Sequence, residues 1–168
     1  MLFDDISFES NSKTIADEYE NCLENINCLQ INRMPARVNL IPAQKPGVLY
    51  ENKDESNMLL SLNGDYKFRY ELADTIQNFY SKDFDDSEWN IIDVPSMWQY
   101  RGYGECLYSN VRYPIPFNPP YVDCENPVGY YRRTFELDEV PDNAILHFGG
   151  VDNAFFVYIN GEFVGFSY

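Results

Sequence analysis

Apolar and polar residues alternate most regularly in the second half of the chain. Tyr66, Phe68 and Tyr70 alternate with Lys67, Arg69 and Glu71, the period of a strand with one buried face. Ile91, Ile92 and Val94 make a second short strand, stopped by Pro95. Residues 128–137 read as a third, with Tyr131, Arg133, Phe135 and Leu137 on one face, and residues 144–148 as a fourth. The run FFVYI at 155–159, the pair Asn160 and Gly161, and the apolar stretch to Tyr168 read as a β-hairpin. Asn-Gly supplies the two residues tolerant of positive φ that a type I′ turn requires. Asn63 and Gly64 mark a further turn over residues 62–65, and residues 83–89 an acidic turn closing on Trp89. There are no long helices after residue 45 and no internal repeats. Short strands with turn signals about every ten residues indicate an all-β, antiparallel sandwich.

The first 45 residues have a different pattern. Residues 14–30 are acidic, with Ile15, Tyr19, Cys22, Leu23 and Ile26 near helical spacing, which allows a short amphipathic helix or a partly ordered arm. Pro35, Pro42, Pro46 and Gly47 keep the chain irregular beyond it. The division expected is an N-terminal arm, 1–45, and a sandwich domain, 46–168. The arm is either a segment that docks on another surface or a loose terminus. The chain stops at the end of an apolar strand, Phe166 to Tyr168, and a sandwich rarely ends by exposing such an edge. The expectation is a truncated domain from a longer protein.

One segment breaks the strand pattern. Pro114, Pro116, Pro119 and Pro120 fall within residues 108–121 and remove backbone donors, so this is an extended, stiff surface loop. Pro119 biases Asn118 toward an extended backbone, which projects its carboxamide outward on a rigid support. An amide both donates and accepts, so it suits a hydroxyl-rich ligand. A proline-rich connection that only packs would carry the same residues.

Composition narrows the function. Aromatic residues make up 17% of the 168, with 14 Tyr and 12 Phe, and favour strands. The net charge of −15 argues against nucleic acid or an anionic membrane as partner, and otherwise serves solubility. No apolar run spans a bilayer, and MLFDD lacks the basic and apolar regions of a secretory signal, so a cytoplasmic protein is expected. Cys22, Cys28, Cys106 and Cys124 form no CxxC pair, and with one histidine they match no familiar zinc spacing. In a signal-less chain of this size they are expected as reduced thiols.

The chain shows no phosphate loop, no GxSxG and no Cys/His pair for nucleophilic attack. His147 sits in a strand as an ordinary sheet residue. Paired carboxylates could serve glycoside hydrolysis, but Asp83, Asp85, Asp86 and Glu88 lie in a turn that reads as solvated. No catalytic residue and no metal ligand is assigned.

Six motifs then come in register: SLNGDYKF at 61–68, DVPSMWQYRGY at 93–103, YSNVRYPIPFNPPY at 108–121, ENPVGYY at 125–131, FGGVDNAF at 148–155 and NGEFVG at 160–165. Together they resemble the N-terminal sugar-binding domain of the large β-galactosidases of glycoside hydrolase family 2. NRM at 32–34 resembles the stretch just before that domain. Met97 and Gly104 stand where that family usually has Asn and Asp.

The resemblance implies a jelly-roll, galactose-binding-domain-like sandwich packed against a later TIM barrel. That barrel would carry both catalytic glutamates and Mg²⁺, with Na⁺ as a further candidate ion, and none of these would lie in this chain. The Asn of the Asn-Pro-Pro loop, here Asn118, would hydrogen-bond galactose. The parent would be a retaining β-galactosidase acting on terminal β-D-galactosyl residues, and a candidate homo-oligomer. The 168-residue chain alone is expected to be inactive. The alternatives are a stand-alone carbohydrate-binding module and a structural or assembly domain.

Overall fold

A computed structural model describes residues 4–7, 22–38, 41–106 and 115–168. Among the described residues, eight strands form three antiparallel sheets: β1 (Asp4–Ser7), β2 (Gln30–Ile31), β3 (Gly64–Glu71), β4 (Asn90–Val94), β5 (Val128–Arg132), β6 (Ile145–Phe148), β7 (Phe155–Ile159) and β8 (Glu162–Ser167). The orders are β4-β3-β5, β2-β8-β7 and β1-β6. Helical structure among the described residues is confined to short 3-10 turns. The all-β antiparallel architecture expected from the strand pattern is the one observed.

The sheet β4-β3-β5 is covered on both faces by aromatic side chains. Alternation along β3 turns Tyr66, Phe68 and Tyr70 to one side, where Phe68 is completely buried against Trp98, Tyr103 and Tyr131. Phe68 lies opposite Tyr131, so Tyr130 points to the other side. There Tyr130 is buried with Trp89 and Phe79. β5 ends at Arg132, five residues before the expected limit of 137, and Phe135 and Leu137 are largely exposed. Arg132 and Arg133 turn to loop carbonyls instead: Arg132 donates to Phe79 O and Ser81 O, and Arg133 to Leu62 O and Asn63 O. The latter bond holds residues 61–63 as irregular chain, not as the expected turn, and Gly64 opens β3 at φ 126.

The segment between β3 and β4 joins the two larger sheets. The Tyr130 hydroxyl donates to Asp74 and accepts from the Thr75 and Ile76 backbone N–H groups at 3.0 and 3.3 Å. Phe79 packs edge-on against both Tyr130 and Tyr158, and Tyr80 stacks on Tyr158 with centroids 4.4 Å apart. Burial, reinforced by the Asp74 carboxylate, pushes the Tyr130 phenol up to about 12 from its usual 10. A raised tyrosine favours the folded state fully below the unfolded value and loses that contribution as pH rises through the folded one. Stability should therefore decline between about pH 10 and 12, and Tyr130→Phe should flatten that limb. Denaturant midpoints measured across that range test it; an unchanged slope in the variant would assign the alkaline loss to another group.

The hairpin β7-β8 is as expected: Asn160 and Gly161 have φ 52 and 91, both positive as a type I′ turn needs. Val157 and Val164 are buried between the strands, with Leu146, Phe148, Phe155 and Ile159 against them. β8, however, is no exposed edge. β2 pairs along it, Gln30 opposite Ser167 and Ile31 opposite Phe166. Val164, Gly165, Phe166 and Ser167 are consequently all buried, the pattern of a strand covered on both faces.

The described parts of the arm thus lie on the chain's own sheets. β1 pairs with β6, Asn32 Nδ2 donates to Val164 O at 2.8 Å, and Arg33 Nη1 donates to Ser167 Oγ at 2.8 Å. The expected helix over 14–30 is not continued through its second half: residues 22–24 are a 3-10 turn and Gln30 begins β2. Residues 14–21 lie outside the described residues. The reason is covalent. Cys22 and Cys28 form a disulfide with Cα atoms 5.1 Å apart, whereas six residues of α-helix would separate them by about 9 Å. This pair corrects the expectation of four reduced thiols; Cys106 and Cys124 are free and exposed.

Candidate functional site

Asn118 stands at the head of a tight turn. The Tyr121 backbone N–H donates to Asn118 O at 2.8 Å, closing residues 118–121 around the cis Pro119–Pro120 bond. A cis proline at the third position of a four-residue turn is the arrangement of a type VI turn. The loop is thus bent at this point and not simply extended; its residues 108–114 lie outside the described residues. Asn118 is exposed, as expected. Phe117 is 92% exposed beside it and Tyr121 52%. The turn therefore offers one exposed carboxamide and two exposed aromatic side chains, groups that can hydrogen-bond hydroxyls and stack on the apolar face of a ring.

Among the described residues the carboxamide has one partner. Asn118 Nδ2 donates to Asp123 Oδ2 at 2.6 Å. Asp123 was not singled out in the sequence; the only signal was an acidic residue five positions after the asparagine.

The loop before the proline segment is anchored from below. Trp98 begins a 3-10 turn over Trp98–Arg101, which Gly102 ends at φ 90. The indole crosses over Gly129 of β5, so close that a Cβ there would lie 2.2 Å from Cζ3. Gly104 has φ 68, and a Cβ on it would lie 2.9 Å from the Tyr70 hydroxyl. A side chain at position 104 would meet that hydroxyl.

Other candidates stay apart from this site. His147 is an exposed residue of β6. Asp83, Asp85 and Glu88 are exposed, and Asp86 accepts from Arg132 Nε at 2.8 Å. The Asp85 carboxyl is held below its usual range by the Ser87 N–H. Among the described residues no three His, Cys, Asp or Glu side chains gather as metal ligands. No helix among them is long and apolar enough to cross a membrane.

Residues 59–168 match the family described as glycosyl hydrolases family 2, sugar binding domain. The chain belongs to that family. Three relatives give the domain a context. A protein named beta-galactosidase from Staphylococcus xylosus is 40% identical over 149 residues, which is 86% of this chain and 15% of the relative. The beta-galactosidase of Priestia megaterium is 40% identical over 162 residues, 90% of this chain and 16% of that protein. The beta-galactosidase of Leuconostoc mesenteroides is 42% identical over 144 residues, 81% and 13% respectively. The chain thus spans about one-seventh of the length of these relatives, and Asn118, its turn and the Trp98 loop all fall within the residues that match the family.

Proposed function

We propose that this chain is the N-terminal sugar-binding domain of a β-galactosidase and that Asn118 is its contact with the galactosyl residue. The observation that carries the reading is the placement of the Asn118 amide: exposed, on a proline-fixed turn, between Phe117 and Tyr121. Similarity to proteins named beta-galactosidase supports the substrate class. In this reading residues 1–45 are an arm and 46–168 the sandwich, of jelly-roll type.

Hydrolysis falls to carboxylates of a later barrel domain, with retention through a covalent galactosyl-enzyme. Mg²⁺, with Na⁺ as a further candidate, belongs to that barrel as well. The enzyme is cytoplasmic and homo-oligomeric in this proposal, and the net charge of −15 suits a protein that meets neither nucleic acid nor anionic lipid. A chromogenic panel of galactoside, glucuronide and mannoside tests it, using this chain alone and the full-length protein that carries it. The chain should be silent and the full-length protein should cleave the galactoside. Preference for the glucuronide or mannoside would overturn the substrate assignment, and activity of the chain alone would overturn the division of labour.

A further inference from the structure

We infer that Asp123 is a positioning residue that fixes which end of the Asn118 amide faces the sugar. The inference rests on the proposed galactoside site and deepens it. An ionised carboxylate offers only acceptors, so the amide beside it must present its nitrogen. The observed bond, Asn118 Nδ2 to Asp123 Oδ2 at 2.6 Å, has that polarity. Turning the amide over would set its carbonyl oxygen against a carboxylate oxygen and lose a charge-assisted bond.

The consequence is directional. With one Nδ2 hydrogen committed to Asp123, Oδ1, at the other end of the planar carboxamide, accepts no bond from any described residue. Asn118 therefore offers the ligand its carbonyl oxygen, an acceptor for a sugar hydroxyl, and has one N–H left to donate. Donation to a carboxylate also polarises the amide, which makes that oxygen a stronger acceptor. The turn holds the pair at fixed separation: Tyr121 N–H to Asn118 O closes the chain between them, and both prolines stiffen it. Asp123 thus sets the orientation in which the amide oxygen is presented, without touching the sugar.

A double-mutant cycle in the full-length enzyme tests this with a nitrophenyl galactoside. Asp123→Ala should lower kcat/KM about three- to tenfold, the size of one hydrogen bond that is weakened and not abolished. In the Asn118→Ala background the same change should have less than about twofold effect, because nothing is left to orient. Asp123→Asn keeps an acceptor oxygen at the same place and should recover most of the loss; a purely electrostatic role of the carboxylate would instead make it behave like alanine. Both Asp123 variants should melt with the wild type, since the residue is exposed. Equal losses in the two backgrounds, or an Asp123→Ala enzyme within twofold of wild type beside a damaged Asn118→Ala, would overturn the inference alone. An Asn118→Ala enzyme with normal kinetics would overturn it together with the assignment of the sugar site.

Discussion

Replacing Gly129 by alanine should destabilise the domain by about 3 kcal/mol, the upper part of the usual range for forcing atoms into a packed core. The added Cβ would lie 2.2 Å from Trp98 Cζ3, 2.5 Å from Cε3 and 3.0 Å from Phe68 Cε2. None of these is the loose end of a flexible chain. The indole is held edge-on by Tyr70 at 5.6 Å and tilted against Phe68 at 6.3 Å, and Phe68 itself is completely buried. Trp98 could yield only by carrying the 3-10 turn Trp98–Arg101 away from the sheet. A domain of this size should then melt roughly 6–12 °C lower. Thermal unfolding of the variant checks it. A loss under about 1 kcal/mol would show that the indole swings aside freely, and that the Trp98 loop is not anchored on β5.

Asn118→Ala in the full-length enzyme should lower kcat/KM for a galactoside by about ten- to a hundredfold while leaving stability within about 0.5 kcal/mol. The two effects separate because Asn118 is exposed and contributes no core surface. Its main-chain carbonyl, which closes the turn with Tyr121, is retained in alanine. What is lost is the ligand's partner. A sugar hydroxyl left unpaired in a closed pocket costs about 1–3 kcal/mol, more than the net worth of one satisfied bond. Steady-state kinetics beside a melting curve gives both numbers. A variant with near-normal kcat/KM would remove Asn118 from the sugar site, and a large fall in melting temperature would make the residue structural.

Much of this was legible in the chain. Period-two alternation at Tyr66, Phe68 and Tyr70, and the Asn160-Gly161 pair, are local statements about side-chain direction and φ, and both hold. The end of β4 at Val94 follows from Pro95, which has no N–H to pair. The exposure of Asn118 was also local, set by the prolines around it. The limit of β5 was not: its apolar alternation continues through Phe135 and Leu137, but the residues stay largely exposed and the chain leaves the sheet after Arg132. Whether apolar residues are covered depends on what the fold lays over them.

The sequence by itself determined an antiparallel all-β chain, the hairpin turn at Asn160 and Gly161, the sugar-binding family and the residue that faces outward at its proline loop. Each rests on near neighbours in the chain or on motifs read in order. Tertiary structure alone decided the rest. It paired β2 with β8 and so buried a strand that looked like an edge, and it closed Cys22 onto Cys28 in place of a helix. It set Trp98 over Gly129. These are contacts between residues whose separation in space, unlike their spacing in sequence, is fixed only once the sheets have packed.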